Sequence, residues 1–167
     1  FIGNPAENNI TSIKCPQLTT ILKQCYIQAP NLKSLNLNSL ESIPGKGDNS
    51  DGDGTFSLYG SQLVSLDLPV LKQVGKKFTL SLGTKHPELT QINLPELISC
   101  KEVSIGYADK LETISLPKLS TLSSFSITSC AKFSKLNETI APFNLEKLSE
   151  SHCRSVTELD ASQKDIN

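Results

Sequence analysis

The stretch Leu63-Val-Ser-Leu66-Asp-Leu68-Pro69-Val-Leu71 returns as Leu89-Thr-Gln-Ile92-Asn-Leu94-Pro95-Glu-Leu97 and again as Leu111-Glu-Thr-Ile114-Ser-Leu116-Pro117-Lys-Leu119. The shared string is LxxLxLPxLxxh, with h apolar. Leu32-Lys-Ser-Leu35-Asn-Leu37-Asn-Ser-Leu40 carries it without the proline, and Ile10-Thr-Ser-Ile13-Lys-Cys15-Pro16-Gln-Leu18 carries it with cysteine in one apolar slot. Decayed copies begin at Phe133 and Val156. Anchored on the middle apolar position, the copies fall at Ile13, Leu35, Leu66, Ile92, Ile114, Leu136 and Leu159, at intervals of 22, 31, 26, 22, 22 and 23 residues. A period near 22 with two insertions is the signature of a solenoid, here of six to seven coils, in which each coil needs its neighbours to close its apolar edge.

Each unit holds a second, shorter alternation: Phe56-Ser-Leu58, Phe78-Thr-Leu80, Val103-Ser-Ile105 and Phe125-Ser-Ile127, with Cys25-Tyr-Ile27 as an earlier copy. Period 2 puts the apolar residues inward and Ser, Thr or Tyr outward, which is strand chemistry. The step from the first strand to the second is 9 or 10 residues (Leu68 to Phe78, Leu94 to Val103), too short to hold a helix beside the turns. The reading is therefore at least two short parallel strands per coil. Pro16, Pro69, Pro95 and Pro117 follow the first strand, where the backbone turns and a missing N–H costs little. Near the C-terminus, Phe143-Asn-Leu145-Glu-Lys-Leu148 fits one helical turn as well as a strand.

Composition narrows the function class. The 167 residues, 37% hydrophobic and 20% charged, are expected to form a single domain, 1–167, cut from a longer chain that begins in mid-coil at Phe1-Ile2-Gly3-Asn4-Pro5. Net charge is −1 and Arg154 is the only arginine, which argues against a nucleic-acid or phosphate reader. No apolar run approaches the roughly 20 residues of a membrane span. The five cysteines (Cys15, Cys25, Cys100, Cys130 and Cys153) make an odd set with no CxxC pair, and most occupy small buried repeat positions, as free thiols would. Asn9-Ile10-Thr11 and Asn137-Glu138-Thr139 match the glycosylation pattern.

The run LxxLxLPxLxxV followed by GxxFxL, from Leu63 to Leu80 with Gly75, resembles the repeat of receptor L-domain-type proteins and of related surface leucine-rich-repeat proteins. Leu111 to Cys130 is similar to BspA-like leucine-rich repeats. The likeness covers nearly the whole chain, departing at Asn38, where the proline is missing, and after Leu136. It implies a right-handed leucine-rich-repeat solenoid, β-helix-like and of the α/β horseshoe class with little helix, in coils of about 22 residues with two short parallel strands each. It also implies an extracellular or cell-surface, non-enzymatic module for protein or glycan binding or adhesion. A structural spacer serving flanking domains is the alternative. The repeat encodes scaffold and leaves the exposed positions, hence the ligand, open.

Candidate sites lie on those exposed positions. Outward residues of the first strands should form one column, Lys14, Asn36, Asp67, Asn93, Ser115, Asn137 and Asp160, beside a second, Ser12, Ser34, Ser65, Gln91, Thr113, Lys135 and Glu158. Both are short and polar, and binding hot spots favour Trp, Tyr and Arg. With no Trp, the anchors available are Tyr26, Tyr59 and Tyr107, which mark a site if they cluster. The longest insertion, 45–55, contains Asn49, Asp51, Asp53, Gly54 and Thr55, the first half of a calcium loop in which alternate oxygens converge on one cation. Gly60 stands where that loop needs its bidentate acid, so a flexible acidic turn competes with a calcium-dependent adhesin, and no other cofactor is expected. His86 and His152 fall in turns, and nothing pairs a nucleophile with a base.

Overall fold

The computed structural model describes residues 9–47, 53–83, 87–133, 135–137 and 147–151, the last two segments as backbone strands. It is a parallel β-solenoid of about five turns, and no helix occurs among the described residues. Asn49, Asp51, His86, His152, Cys153, Arg154 and the repeat copy at Leu159 lie outside the described residues.

Three faces run along the stack. The first carries β1 (Ser12–Lys14), β3 (Ser34–Asn36), β6 (Ser65–Asp67), β9 (Gln91–Asn93), β11 (Thr113–Ser115) and β13 (Lys135–Asn137). The second is one six-stranded sheet in the spatial order β2 (Gln24–Gln28), β5 (Thr55–Tyr59), β8 (Lys77–Ser81), β10 (Glu102–Gly106), β12 (Ser124–Thr128) and β14 (Lys147–Ser151). The third joins β4 (Ser42–Ile43) to β7 (Gln73–Val74) and continues as single bridges, Thr20 to Ser42 and Gln73 to Ser99 to Thr121. At least two strands per coil are expected from the sequence, and a third line is present. Its ladder is one or two residues long, so each coil shows a single buried side chain there (Ile43, Val74, Cys100, Leu122), the h position of the repeat. The segment Lys147–Ser151, which also fitted a helical turn, is a strand paired with β12, because the stack below it offers an open sheet edge.

The repeat string maps onto the core position by position. Leu32, Leu63, Leu89 and Leu111 stack at its first letter, Leu37, Leu68, Leu94 and Leu116 at its third apolar slot, and Leu40, Leu71, Leu97 and Leu119 after the turn, all buried. The second face contributes Cys25, Phe56, Phe78, Val103 and Phe125 in one register column, with Phe56 and Phe78 stacked at 4.9 Å and 8°. Truncating one such ring costs about 3–5 kcal/mol. Each proline sits at the second position of a turn closed by main chain: Leu71 N donates to Leu68 O at 3.3 Å and Leu97 N to Leu94 O at 3.2 Å. Where Asn38 replaces proline its N–H needs an acceptor, and the Asn36 side-chain oxygen supplies it at 3.3 Å.

Two departures interrupt the stack. The first face is not one ladder: β1 pairs with β3, β6 with β9, β9 with β11 and β11 with β13, and β3 and β6 do not pair. At that step Gln62 N donates to Leu32 O, whereas Lys33 N bonds Thr11 O, Thr90 N bonds Val64 O and Glu112 N bonds Thr90 O. Register has slipped at one corner, and Leu35 is left half-buried where Leu66, Ile92 and Ile114 are sealed. The Ser61 hydroxyl beside it is buried without a partner. The second departure is the insertion after β4. It leaves at Pro44 and rejoins at Gly54, whose N–H bonds Lys23 O at 2.7 Å and whose carbonyl accepts from Lys76 N at 2.8 Å, so the coil resumes in register. Packing there is backbone on backbone: a Cβ on Gly75 would stand 2.0 Å from Pro44 O, and one on Gly45, at φ +80, 2.8 Å from Gly54 N.

Exposed ion pairs span neighbouring coils: Glu41–Lys72 at 2.9 Å, Glu88–Lys110 at 2.7 Å, Glu96–Lys118 at 2.6 Å and Lys77–Glu102 at 3.6 Å. Exposed pairs of this kind contribute about 0–1 kcal/mol each, so they favour the correct coil register more than they stabilise it.

Candidate binding surfaces

On the first face the strand pleat turns Ile13, Leu66, Ile92 and Ile114 inward and their neighbours outward. Asp67, Asn93 and Ser115 share one register column with Ser65, Gln91 and Thr113 beside it. Asn36 does not join them. It pairs with Lys14 across β1 and β3, so the single expected column is two, separated by the slipped step. Part of this polarity is internally spent: Ser65 Oγ donates to Asp67 Oδ2 at 2.7 Å and Asn36 accepts from Asn38 N.

The outward positions of the second face were read from the sequence only as strand alternation. Register makes them two uncharged columns: Tyr26, Ser57, Thr79, Ser104 and Ser126, then Gln28, Tyr59, Ser81, Gly106 and Thr128. A third column carries Lys77 and Glu102, which face each other as an ion pair. Tyr26 and Tyr59 come together, ring centroids 5.2 Å apart and tilted 36°, because Tyr59 lies one strand over and two residues beyond the partner of Tyr26. The Tyr26 hydroxyl donates to Gln28 Oε1 at 3.3 Å. Ser57, the register partner of Tyr26, is buried although it points outward. Tyr107 does not join the pair: it follows β10, two strands from β5, in the left-handed region at φ 56, and is exposed.

The two metal candidates of the insertion that lie among the described residues, Asp53 and Thr55, are occupied by folding contacts. Asp53 Oδ1 accepts from Lys46 N at 2.6 Å and Oδ2 from Gly47 N at 2.7 Å, and the residue is 7% exposed. An anionic acceptor gripped by two amides is a loop clasp, and a charge-assisted one. Thr55 opens β5, buried and in register with Gln24 and Lys77. Among the described residues no three His, Cys, Asp or Glu side chains gather as a metal site.

The thiols are packing groups. Cys25, Cys100 and Cys130 are buried and Cys15 half-buried; Cys15, Cys25 and Cys100 are free thiols, and Cys130 Sγ donates to Thr128 O at 3.5 Å. Burial pushes the Cys25 thiol up to about 11 and the Cys100 thiol up to about 12, so both are neutral at physiological pH. Cys100 Sγ donates to Glu102 O at 3.0 Å. The large exposed apolar side chains, Leu22, Val64, Ile98 and Tyr107, lie at different points of the coil and do not merge into a patch. No helix among the described residues is long and apolar enough to cross a membrane. Comparison with family models, with curated proteins and with solved structures finds no match to this chain.

Proposed function

We propose that this chain is a right-handed leucine-rich-repeat module that acts outside the cell as a non-enzymatic binding or adhesion surface for a protein or glycan. The observation that supports it most is the separation of scaffold from display. The first-face strand begins eight residues before the third-face position in each coil (Ser12 and Thr20, Ser34 and Ser42, Ser65 and Gln73, Gln91 and Ser99, Thr113 and Thr121), while the outward residues between them vary. Such a frame holds side chains at the roughly 4.8 Å strand spacing on a stiff support. Right-handed winding follows from the strong chirality preference of parallel crossovers. An outside location is favoured by Asn9, which is exposed at the start of its Asn9-Ile10-Thr11 pattern. The calcium-dependent alternative is weakened by the Asp53 carboxylate being committed to Lys46 and Gly47.

The test is saturable binding of the labelled chain to intact cells and to extracellular matrix. Retention that competes with unlabelled protein supports the reading. Absence of any retention overturns it in favour of a spacer.

A further inference from the structure

We infer that the outer face of the six-stranded sheet, centred on Tyr26 and Tyr59, docks a neutral glycan. This deepens the binding-module reading and rests on it. Three features of the face bear on the ligand. The two rings pack against each other, centroids 5.2 Å apart and tilted 36°, making one compact aromatic platform on an otherwise polar sheet. The apolar C–H face of a sugar ring packs on such rings, while an aromatic with a hydroxyl keeps one end suited to water and to polar partners. Around them stand groups of one chemical kind: the Gln28 amide and the Thr79 and Ser81 hydroxyls, on adjoining strands. Amides and hydroxyls both donate and accept, as the hydroxyls of a sugar do.

Charge decides between ligand classes. The two central columns contain no ionisable group other than the tyrosine hydroxyls; in the third column Lys77 and Glu102 pair with each other at 3.6 Å, and Lys147 stands on β14, four strands from Tyr59. Around the tyrosine pair the face therefore offers no net charge to a phosphate, a sulfated chain or a nucleic acid. Nor does it offer the desolvated apolar centre of a protein interface, because its outward side chains other than the two rings are polar. The first face is different, with Lys14, Asp67 and an internal Ser65–Asp67 bond. A hydroxyl-rich sheet, uncharged around one aromatic pair, matches an extended neutral sugar chain lying across the strands.

The absence of tryptophan makes the assay direct, since two of only three tyrosines in the chain form the platform and ligand contact will report in tyrosine fluorescence. The whole chain is titrated with cellohexaose, laminarihexaose and mannohexaose and pulled down on cellulose, chitin and β-1,3-glucan. The expected result is saturable retention on at least one neutral polymer. Y26A/Y59A should weaken it at least tenfold, and Ser81→Lys, which leaves the rings in place, should do the same. Asp67→Ala and Asn93→Ala on the first face should not. Far-ultraviolet circular dichroism and the melting curve of each variant establish that it is folded. Two results overturn the inference: no retention on any neutral glycan, or equal retention by a folded Y26A/Y59A and by Ser81→Lys. If the chain still binds cells in either event, the binding-module reading stands and only the assignment to this face and ligand falls.

Discussion

Replacing Asp53 removes the clasp of the inserted loop, and the structure sets the size of the effect. Its carboxylate accepts two short main-chain hydrogen bonds, 2.6 and 2.7 Å, while itself 7% exposed. Hydrogen bonds to a charged group contribute about 1.5–3 kcal/mol each. The two share one acceptor, and the donors belong to the exposed residues Lys46 and Gly47, whose N–H groups return to water when the partner is lost. The sum therefore falls well short of additivity, at about 2 kcal/mol for Asp53→Ala. For a chain of this length that lowers the melting temperature by about 4–8 °C. Asp53→Asn keeps one carbonyl acceptor and should lose about half as much, and Lys46→Ala, which keeps the main-chain donor, should lose almost nothing. The assay is thermal unfolding by circular dichroism with calcium and with EDTA. A clasp predicts the same drop in both. The reasoning is refuted if Asp53→Ala melts with the parent, or if calcium raises the parent's transition and the rise disappears in the variant, since the carboxylate would then be a metal ligand.

Three further outcomes follow from the packing. Gly75→Ala forces a methyl to within 2.0 Å of Pro44 O and must push β4 and β7 apart, at a cost of about 3 kcal/mol or more, visible as a lower urea midpoint or loss of soluble protein. Ser61→Ala removes a hydroxyl that is 3% exposed and unpartnered, so stability should rise by about 1 kcal/mol in the same urea titration; a fall would mean the hydroxyl is satisfied in solution. The folded Cys100 thiol is held at about 12, above its ordinary 9.0. Its contribution is complete below pH 9 and is lost as pH rises from 9 towards 12. Urea midpoints should therefore fall over that alkaline range and fall less in Cys100→Ala, and thiol reagents at neutral pH should modify Cys100 only at the rate of unfolding.

The coil and its register were legible in the chain because each letter of LxxLxLPxLxxh does one job. Leu63, Leu66, Leu68, Leu71 and Val74 are buried by the coil above and the coil below, so any slip by one residue would turn them outward, and the string repeats because that demand repeats. The prolines announced their turns through a fixed φ and a missing N–H. Sequence did not announce the third face, because a strand of two residues has one side chain in and one out and carries no alternation to detect. It did not announce the slipped step either: Gln28 to Ser34 and Tyr59 to Ser65 have equal spacing, yet β3 and β6 do not pair. Asn49, Asp51 and Asp53 matched a metal pattern through residue type alone. Where the Asp53 carboxylate goes depends on how close Lys46 and Gly47 return to it, a distance set by the loop ends packing on Gly54 and Gly75. The pairing of Tyr26 with Tyr59 is of the same kind. They stand either side of the insertion, and only the parallel ladder of β2 with β5 brings them into contact. Local sequence fixes which side chains must be buried; which exposed ones meet is decided by the stacking of coils, because those contacts run between residues that the chain itself holds far apart.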